Sequence, residues 1–235
     1  MLFVLLYLLE TPGRGKDGQT DTSFSDSSLF AHWGQELGPD NRRVALKMFQ
    51  YYGYNGYLSD RLSLDRPIPD LRPDGCRNLT YPLNLPQVSI VFIFVNEAFS
   101  VILRSIHSAI NRTPSYLLKE IILIVEGVIF HRSPPRHPSF TLVICHCHSS
   151  PPRDISMQKD ELRRKLQNFV SETNSQHPGF IKMVRHAKQE GLIRSRVSGW
   201  RVATAPVVAL FDAHVEFNVA GLNPFCSELK KTEPA

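Results

Sequence analysis

The tripeptide Asp212-Ala213-His214 is the sharpest chemical signal in the sequence, because it follows a wholly apolar run at 207–211. In extended backbone, residues i and i+2 point to the same side, so a carboxylate and an imidazole can converge here on one ion. That donor pair suits a divalent metal of intermediate hardness such as Mn²⁺, which can in turn neutralise a diphosphate. The same spacing also arises at strand ends that bind no metal.

Other polar residues carry weaker signals. Glu97, after the apolar run 88–95, can serve as an acid, a base or a ligand anchor, or be only a charged strand end. Arg194 and Arg196 either contact phosphate or face solvent. The run Cys145-His146-Cys147-His148 argues against zinc, because zinc ligands normally lie about two to four residues apart and come in two separate pairs. No G-x-S-x-G, P-loop or G-x-G-x-x-G string supports a hydrolase, an NTPase or a dinucleotide-binding protein.

Apolar runs predict the elements that position these residues. Continuous β-branched runs are typical of strands buried in a parallel sheet, and apolar residues at helical spacing predict helices that cover it. Open α/β sheets bind ligands beyond the carboxyl ends of their strands, so we expect Asn96-Glu97 and Asp212-Ala213-His214 to face one crevice. The predicted strands are 88–95, 121–125, 180–184 and 207–211, and the predicted helices are the stripe Ile102, Ile106, Ala109 and Ile110 and the segments 159–170 and 191–202.

The bulk composition bounds the class of protein. The 235 residues are 42% hydrophobic with a net charge of +5, which is enough for one α/β domain with a tail. No basic run alternates with aromatic residues, so nucleic acid is not an expected partner. Met1–Leu9 is shorter than the roughly 20 apolar residues of a membrane span. We interpret it as the remnant of a membrane-targeting segment, with a frayed apolar N-terminus as the alternative.

Further local patterns concern the secretory pathway and the loops. Two N-x-[ST] sequons, at Asn78 and Asn111, predict N-glycosylation and favour the secretory route, whereas the four cysteines do not by themselves define a disulfide framework. The prolines of 65–73 predict an extended segment that lies across the surface of the domain. Residues 126–157 fit no helical or strand period, and we interpret them as an atypical insert.

Several strings resemble the polypeptide N-acetylgalactosaminyltransferases, and they occur in the order in which that family has them. The resemblance covers about residues 44–124 and 158–219, and within the family it is greatest to the subgroup that includes the member numbered eight. The strings are Tyr54-Asn55-Gly56-Tyr57-Leu58-Ser59-Asp60, Asp65-Arg66-Pro67-Ile68-Pro69-Asp70, Arg72-Pro73-Asp74-Gly75-Cys76, Phe94-Val95-Asn96-Glu97, Leu103-Arg104-Ser105-Ile106-His107-Ser108, Glu190-Gly191-Leu192-Ile193-Arg194-Ser195-Arg196, Thr204-Ala205-Pro206-Val207 and Phe211-Asp212-Ala213-His214-Val215-Glu216.

The resemblance implies a fold and a reaction. The fold would be α/β of the GT-A type, a Rossmann-like nucleotide-sugar-binding domain. The reaction would be retaining transfer of GalNAc from UDP-GalNAc to Ser or Thr of protein acceptors, with Mn²⁺ as cofactor, which starts mucin-type O-glycans in the Golgi. On the matching positions, Asp212 and His214 would ligate Mn²⁺ and Asp212 would also hold the donor. Phe94, Asn96 and Glu97 would line the uridine pocket.

The sequence also departs from the family. The family's V-D-D, whose aspartate helps to hold the nucleotide, is replaced by Val125-Glu126-Gly127, and residues 220–235 diverge from the family's continuation. We expect a GT-A domain incomplete in its C-terminal half. The third metal ligand, the acceptor-binding region, the lectin domain and the disulfide partner of Cys76 would be absent. We therefore expect feeble UDP-GalNAc binding and no transfer.

Two alternatives remain open at this point. The chain is either a non-catalytic binding partner of an active family member or an unstable product of aberrant splicing. The predicted organisation is a hydrophobic targeting remnant at 1–10, a stem at 11–43, a partial GT-A domain at 44–219 that contains the insert 126–157, and a divergent tail at 220–235.

Overall fold

The computed structural model describes residues 3–4, 37–70, 72–127 and 154–231, with side chains from residue 160 onward in the last range. The strands are β1 (Phe3–Val4), β2 (Val88–Phe94), β3 (Leu118–Val125), β4 (Ile181–Arg185) and β5 (Val207–Asp212). The helices are α1 (Pro39–Tyr52), α2 (Gly56–Ser59), α3 (Asp74–Arg77), α4 (Phe99–Arg112), α5 (Asp154–Gln176), α6 (Leu192–Val202) and α7 (Asn223–Lys231).

The strands form one parallel sheet in the order β1-β5-β2-β3-β4. All seven residues of β2 are buried, which explains why its sequence is apolar apart from Ser89 rather than alternating. The chain builds outward from β2 through β3 to β4 and then returns to place β5 on the opposite side of β2. This reversal is a topological switch point, where ligands of open α/β sheets bind beyond the carboxyl ends of the strands.

Helices cover both faces of the sheet. On one face lies the main core, in which Ile102 and Ile106 of α4, Leu166 of α5 and Cys226 of α7 pack against Phe92 and its neighbours. On the other face α6 contributes Trp200 to a smaller cluster around Val91 and Ile122. The burial of helical residues at i and i+4 spacing accounts for the apolar stripe of α4.

The predicted core elements are confirmed, with bounds that shift by a few residues. β3 begins earlier and α5 runs longer in both directions than their apolar periods indicate. α1 and α7 were not predicted. α1 begins at Pro39, inside the segment interpreted as a stem, and α7 lies in the segment interpreted as a divergent tail.

Several sequence-based expectations concern residues outside the described ranges. They are the Cys145-His146-Cys147-His148 run, most of the insert 126–157, and Met1–Leu9 except for Phe3–Val4, which pairs with Val208 and Ala209 of β5. In the described part of the chain, no helix is long and apolar enough to cross a membrane. Cys76 is exposed, Cys226 is buried, and both are free thiols.

A buried carboxylate anchors the end of the sheet opposite to the switch point. Glu120, 3% exposed, accepts hydrogen bonds from Ser89 Oγ at 2.7 Å and from the backbone N–H of Thr204 at 2.6 Å, and it pairs with Lys182 Nζ at 2.6 Å. Burial raises the pKa of this carboxyl, but these donors and the Lys182 ammonium outweigh burial and hold it below its usual range. The network ties β2, β3 and β4 to the segment that leads into β5.

Gly199 provides a test of the packing between α6 and the sheet. An added Cβ would lie 2.5 Å from Cγ1 of Val91, which is fully buried. We therefore expect Gly199→Ala to lower the free energy of unfolding by about 1–3 kcal/mol, although a helical Gly→Ala change usually raises it by about 1 kcal/mol. Chemical denaturation measures the change.

Two further variants serve as controls for this prediction. Gly75→Ala, in a helix where no atom lies within 4 Å of the added Cβ, should leave stability unchanged or slightly raised. In a Val91→Ala background the Gly199→Ala change should cost less, because the opposing methyl groups are gone. Equal costs in both backgrounds would contradict the clash.

Candidate functional site

The carboxyl ends of β2 and β5 meet at the switch point. Ile93 pairs with Asp212 in the parallel register, so the residues that follow each strand lie side by side. His214 Nδ1 lies 3.3 Å from Glu97 Oε1. This contact confirms that the two polar strand ends lie side by side, whereas their facing one crevice stays a prediction.

Tyr54 holds the carboxylate of Glu97 from the opposite side. Its hydroxyl donates to Glu97 Oε2 at 2.8 Å and accepts from the backbone N–H of Ala98 at 3.0 Å. Burial, reinforced by the neighbouring carboxylate, raises the pKa of Tyr54 well above its usual value. Tyr54 reaches this position because α1 ends at Gly53 in a left-handed conformation, with φ of 79°, which a glycine adopts without steric cost.

Asp212 and His214 present exposed side chains at this edge. The hydrogen bond with Glu97 raises the pKa of His214 against the opposing effect of burial, and the negative charge of Asp212 adds to the rise. A carboxylate and an imidazole fit a metal such as Mn²⁺ in donor type. Among the described residues no group of three His, Cys, Asp or Glu side chains is placed to hold a metal ion.

Hydroxyl groups of α4 hold the loop that carries His214. Ser105 Oγ donates to the carbonyl of Ala213 at 2.8 Å, and Ser108 Oγ accepts from the N–H of Phe217 at 3.0 Å. Both serines are 1% exposed, so no water competes for these bonds. The loop therefore has a fixed backbone on either side of His214.

Glu216 joins this loop to the proline-rich segment. Arg66 donates to both of its carboxylate oxygens, at 2.7–3.0 Å, and the buried Arg104 lies 3.8 Å away through Nε. Arg104 also donates to the carbonyl of Ser59 at 2.7 Å. This clamp shows that the start of the predicted surface segment 65–73 lies against the loop after β5. A cavity of about 160 Å³ lies beside it, lined by Tyr54, Val101, Arg104, Ser105, His214 and Glu216.

Glu126, at the end of β3, turns into the protein. It is 4% exposed, and its carboxylate accepts hydrogen bonds from two groups at the start of α6. These groups are Ser195 Oγ and the N–H of Gly191, the latter at 3.3 Å. Gly127 lets this segment lie close to the backbone of Ala187, because an added Cβ at Gly127 would lie 2.8 Å from that backbone. The sequence indicated only that an aspartate of the family is replaced here; the contact with Ser195 has no signal in the sequence.

The remaining predicted site residues lie in different surroundings. Phe94 is 4% exposed and packs in the main core. Asn96 lies at the strand end, where burial raises the pKa of Tyr51 and the hydrogen bond with Asn96 opposes that shift. Asn78 and Asn111 are exposed. The roles of Phe94 and Asn96 in the uridine pocket, and of Asn78 and Asn111 as glycosylation sites, stay predictions. Arg194 is 72% exposed and pairs with Glu190 at 2.7 Å.

Comparison with known proteins gives consistent similarities. The model of glycosyl transferase family 2 matches residues 156–235. The chain is 59% identical over 225 residues to mouse polypeptide N-acetylgalactosaminyltransferase 18, covering 96% of this chain and 31% of that protein. It is 46% identical to human polypeptide N-acetylgalactosaminyltransferase 9, over 82% of this chain and 26% of that protein. It is 39% identical to the human probable polypeptide N-acetylgalactosaminyltransferase 8, over 88% of this chain and 28% of that protein.

The fold similarity agrees with the sequence similarity. A crystal structure of GalNAc-T7 with UDP, GalNAc and Mn²⁺ matches with a TM-score of 0.65 and 29% identity, covering 83% of this chain and 30% of that one. The predicted α/β fold of the GT-A type, as a partial domain, is confirmed by this match. The chain spans about a third of the length of the relatives it matches.

The clamp on Glu216 predicts a stability effect. Glu216→Ala should lower the free energy of unfolding by about 1–3 kcal/mol, because it leaves the buried guanidinium of Arg104 without its carboxylate. Glu228→Ala, which removes an exposed carboxylate paired with Lys231, should change it by less than about 0.5 kcal/mol. Thermal and chemical denaturation of both variants check this, and equal effects would contradict the clamp.

Proposed function

We propose that the switch point of this chain forms the donor-binding site of a polypeptide N-acetylgalactosaminyltransferase. The proposal is supported by the strong homology of the chain to about a third of the length of such enzymes. The donor is UDP-GalNAc, the metal is Mn²⁺, and the complete protein transfers GalNAc to Ser or Thr of protein acceptors. The observation that carries the proposal is the parallel register of Ile93 with Asp212, which brings the end of β5 beside the end of β2 and His214 beside Glu97.

Asp212 and His214 would hold Mn²⁺ in this proposal. When bound, the ion neutralises the diphosphate as negative charge develops on the leaving group. The exposure of both side chains suits a metal that takes its other ligands from oxygen atoms of the nucleotide and of water. Ser105 and Ser108 keep the loop in place, so the imidazole is offered from a fixed backbone.

A second cavity supports a nucleotide at the same edge of the sheet. Its volume is about 90 Å³, and it lies beyond the ends of β2, β3 and β4, with Asn96, Arg185 and His186 in its lining. Side-chain and backbone polar groups at strand ends are typical partners of a base and a ribose. We assign the uridine to this side and the diphosphate to the side of Asp212.

A second candidate function is a non-catalytic family member that pairs with an active relative. The orientation of Glu126 favours it. The carboxylate at the position where the family resemblance implies a nucleotide-holding aspartate is instead engaged by Ser195 and Gly191. Transfer of GalNAc to an acceptor peptide, measured on the same sample as nucleotide binding, separates the two candidates.

Nucleotide binding gives the direct test. Calorimetry on the full chain should show UDP binding that depends on Mn²⁺, and Asp212→Ala should weaken it by at least about tenfold because a metal ligand is lost. Asp160→Ala, which removes an exposed carboxylate on α5, should bind as the unmodified chain does. A well-folded sample that shows no heat of binding at millimolar UDP with Mn²⁺ present would contradict the donor-site proposal.

We also propose that the protein enters the secretory pathway and resides in the Golgi. The exposure of Asn78 and Asn111 supports modification of both sequons. Expression in mammalian cells should give a protein whose mobility increases on treatment with an endoglycosidase for N-glycans. Asn78→Gln and Asn111→Gln should each remove one step of that shift. An unshifted protein would contradict the proposed route.

A further inference from the structure

The pair of Tyr54 and Glu97 stands next to the metal-binding residues without an assigned role in metal binding. Both oxygens of Glu97 are engaged by protein groups: Oε1 contacts His214 Nδ1 at 3.3 Å, and Oε2 accepts from the Tyr54 hydroxyl at 2.8 Å. The side chain of Glu97 is 16% exposed, whereas that of His214 is 57% exposed. The carboxylate therefore lies behind the imidazole, on the protein side of it.

We infer that Glu97, held by Tyr54, is a positioning residue that fixes the His214 imidazole with its proton on Nδ1 and leaves Nε2 to bind a divalent cation. This inference rests on the proposed function, because it assigns the order of residues around the same metal. It gives Glu97 a role that acts through His214.

The hydrogen-bonding capacity of the groups carries the first step. A carboxylate offers only acceptors, so the Nδ1 atom that faces it must be the donor. A neutral imidazole carries one proton, and with that proton on Nδ1 the lone pair lies on Nε2. A histidine that binds a metal through one nitrogen and donates to a carboxylate through the other is a common arrangement, and the carboxylate raises the basicity of the ligand.

The anchoring of Glu97 carries the second step. The Tyr54 hydroxyl is itself fixed, since it accepts from the N–H of Ala98 at 3.0 Å while it donates to Glu97. Its ring stacks on that of Tyr52 at a centroid distance of 5.6 Å. The carboxylate is thus held from a rigid strand end and from the ring of a part-buried tyrosine. Such support is what keeps a ligand within a fraction of an ångström of its binding geometry.

The experiment combines metal affinity with the state of the ring. Mn²⁺ affinity is measured by electron paramagnetic resonance on the full chain, without nucleotide, for the wild type, Glu97→Ala, Glu97→Gln and Tyr54→Phe. The ¹⁵N shifts of the His214 ring nitrogens are measured on the metal-free chain at alkaline pH, where the ring is neutral. These shifts report which nitrogen carries the proton, which a merely structural role of Glu97 would not change.

The expected results differ between the variants. Glu97→Ala should weaken Mn²⁺ binding by about tenfold or more and shift the ring proton towards Nε2. Glu97→Gln keeps an oxygen that accepts from Nδ1–H, so it should retain most of the affinity and the Nδ1–H form. Tyr54→Phe should cause a smaller loss than Glu97→Ala. Tyr52→Phe, which removes a hydroxyl from the neighbouring stacked ring, is the matched control and should bind as the wild type does.

The outcomes separate this inference from the proposed function. Wild-type Mn²⁺ affinity in Glu97→Ala, or an unchanged ring tautomer, overturns the positioning role and leaves the metal site intact. Absence of Mn²⁺-dependent UDP binding by the folded wild type, measured by calorimetry, overturns the proposed function. In that case the tautomer measurement decides alone whether Glu97 orients the ring.

Discussion

The parallel pairing of β2 with β5 is the constraint on which the site depends. These strands are separated by more than a hundred residues in the chain, and their register sets which side chains emerge together at the carboxyl edge. Side chains alternate along a strand, so a shift of one residue would turn Asp212 and its neighbours to the opposite face of the sheet. The register is secured because both strands are buried by helices on either side. Glu120 adds a polar anchor at the far end, where it joins β3 to the segment before β5.

The segments around the sheet then fix the loop that the register brings into place. Arg66 and Arg104 hold Glu216, and the serines of α4 hold the backbone on either side of His214. Each bond joins segments that are far apart in sequence, so the loop is held only when the domain is folded as a unit. This makes the geometry of His214 a property of the whole fold. It also explains why residues 54–66, which lie outside the sheet, are part of the site.

The sheet and the position of its carboxyl edge could be predicted from the sequence, because strands buried in a parallel sheet form nearly continuous apolar runs, such as 88–94 with Ser89 as its one polar residue. The contacts that organise the crevice could not. Tyr54 lies 43 residues before Glu97, and no period or spacing relates the two. α7 was not predicted because its nine residues, with a proline near the start, are too few to show a clear helical period of apolar residues. Such elements are decided by tertiary packing, in this case by the burial of Cys226 in the main core.

The two glutamates that follow β2 and β3 show how position alone fails to assign chemistry. Glu97 and Glu126 both stand at carboxyl ends of neighbouring strands, yet one faces the loop after β5 and the other faces the start of α6. The difference follows from their surroundings. Gly127 lets the backbone of Ala187 approach to a distance that no side chain would permit, and Ser195 and the N–H of Gly191 hold the carboxylate of Glu126. Both carboxylates are therefore engaged by protein groups. Of the three acidic side chains at the carboxyl ends of β2, β3 and β5, that of Asp212 is the exposed one, which supports the proposal that a cation binds at the end of β5.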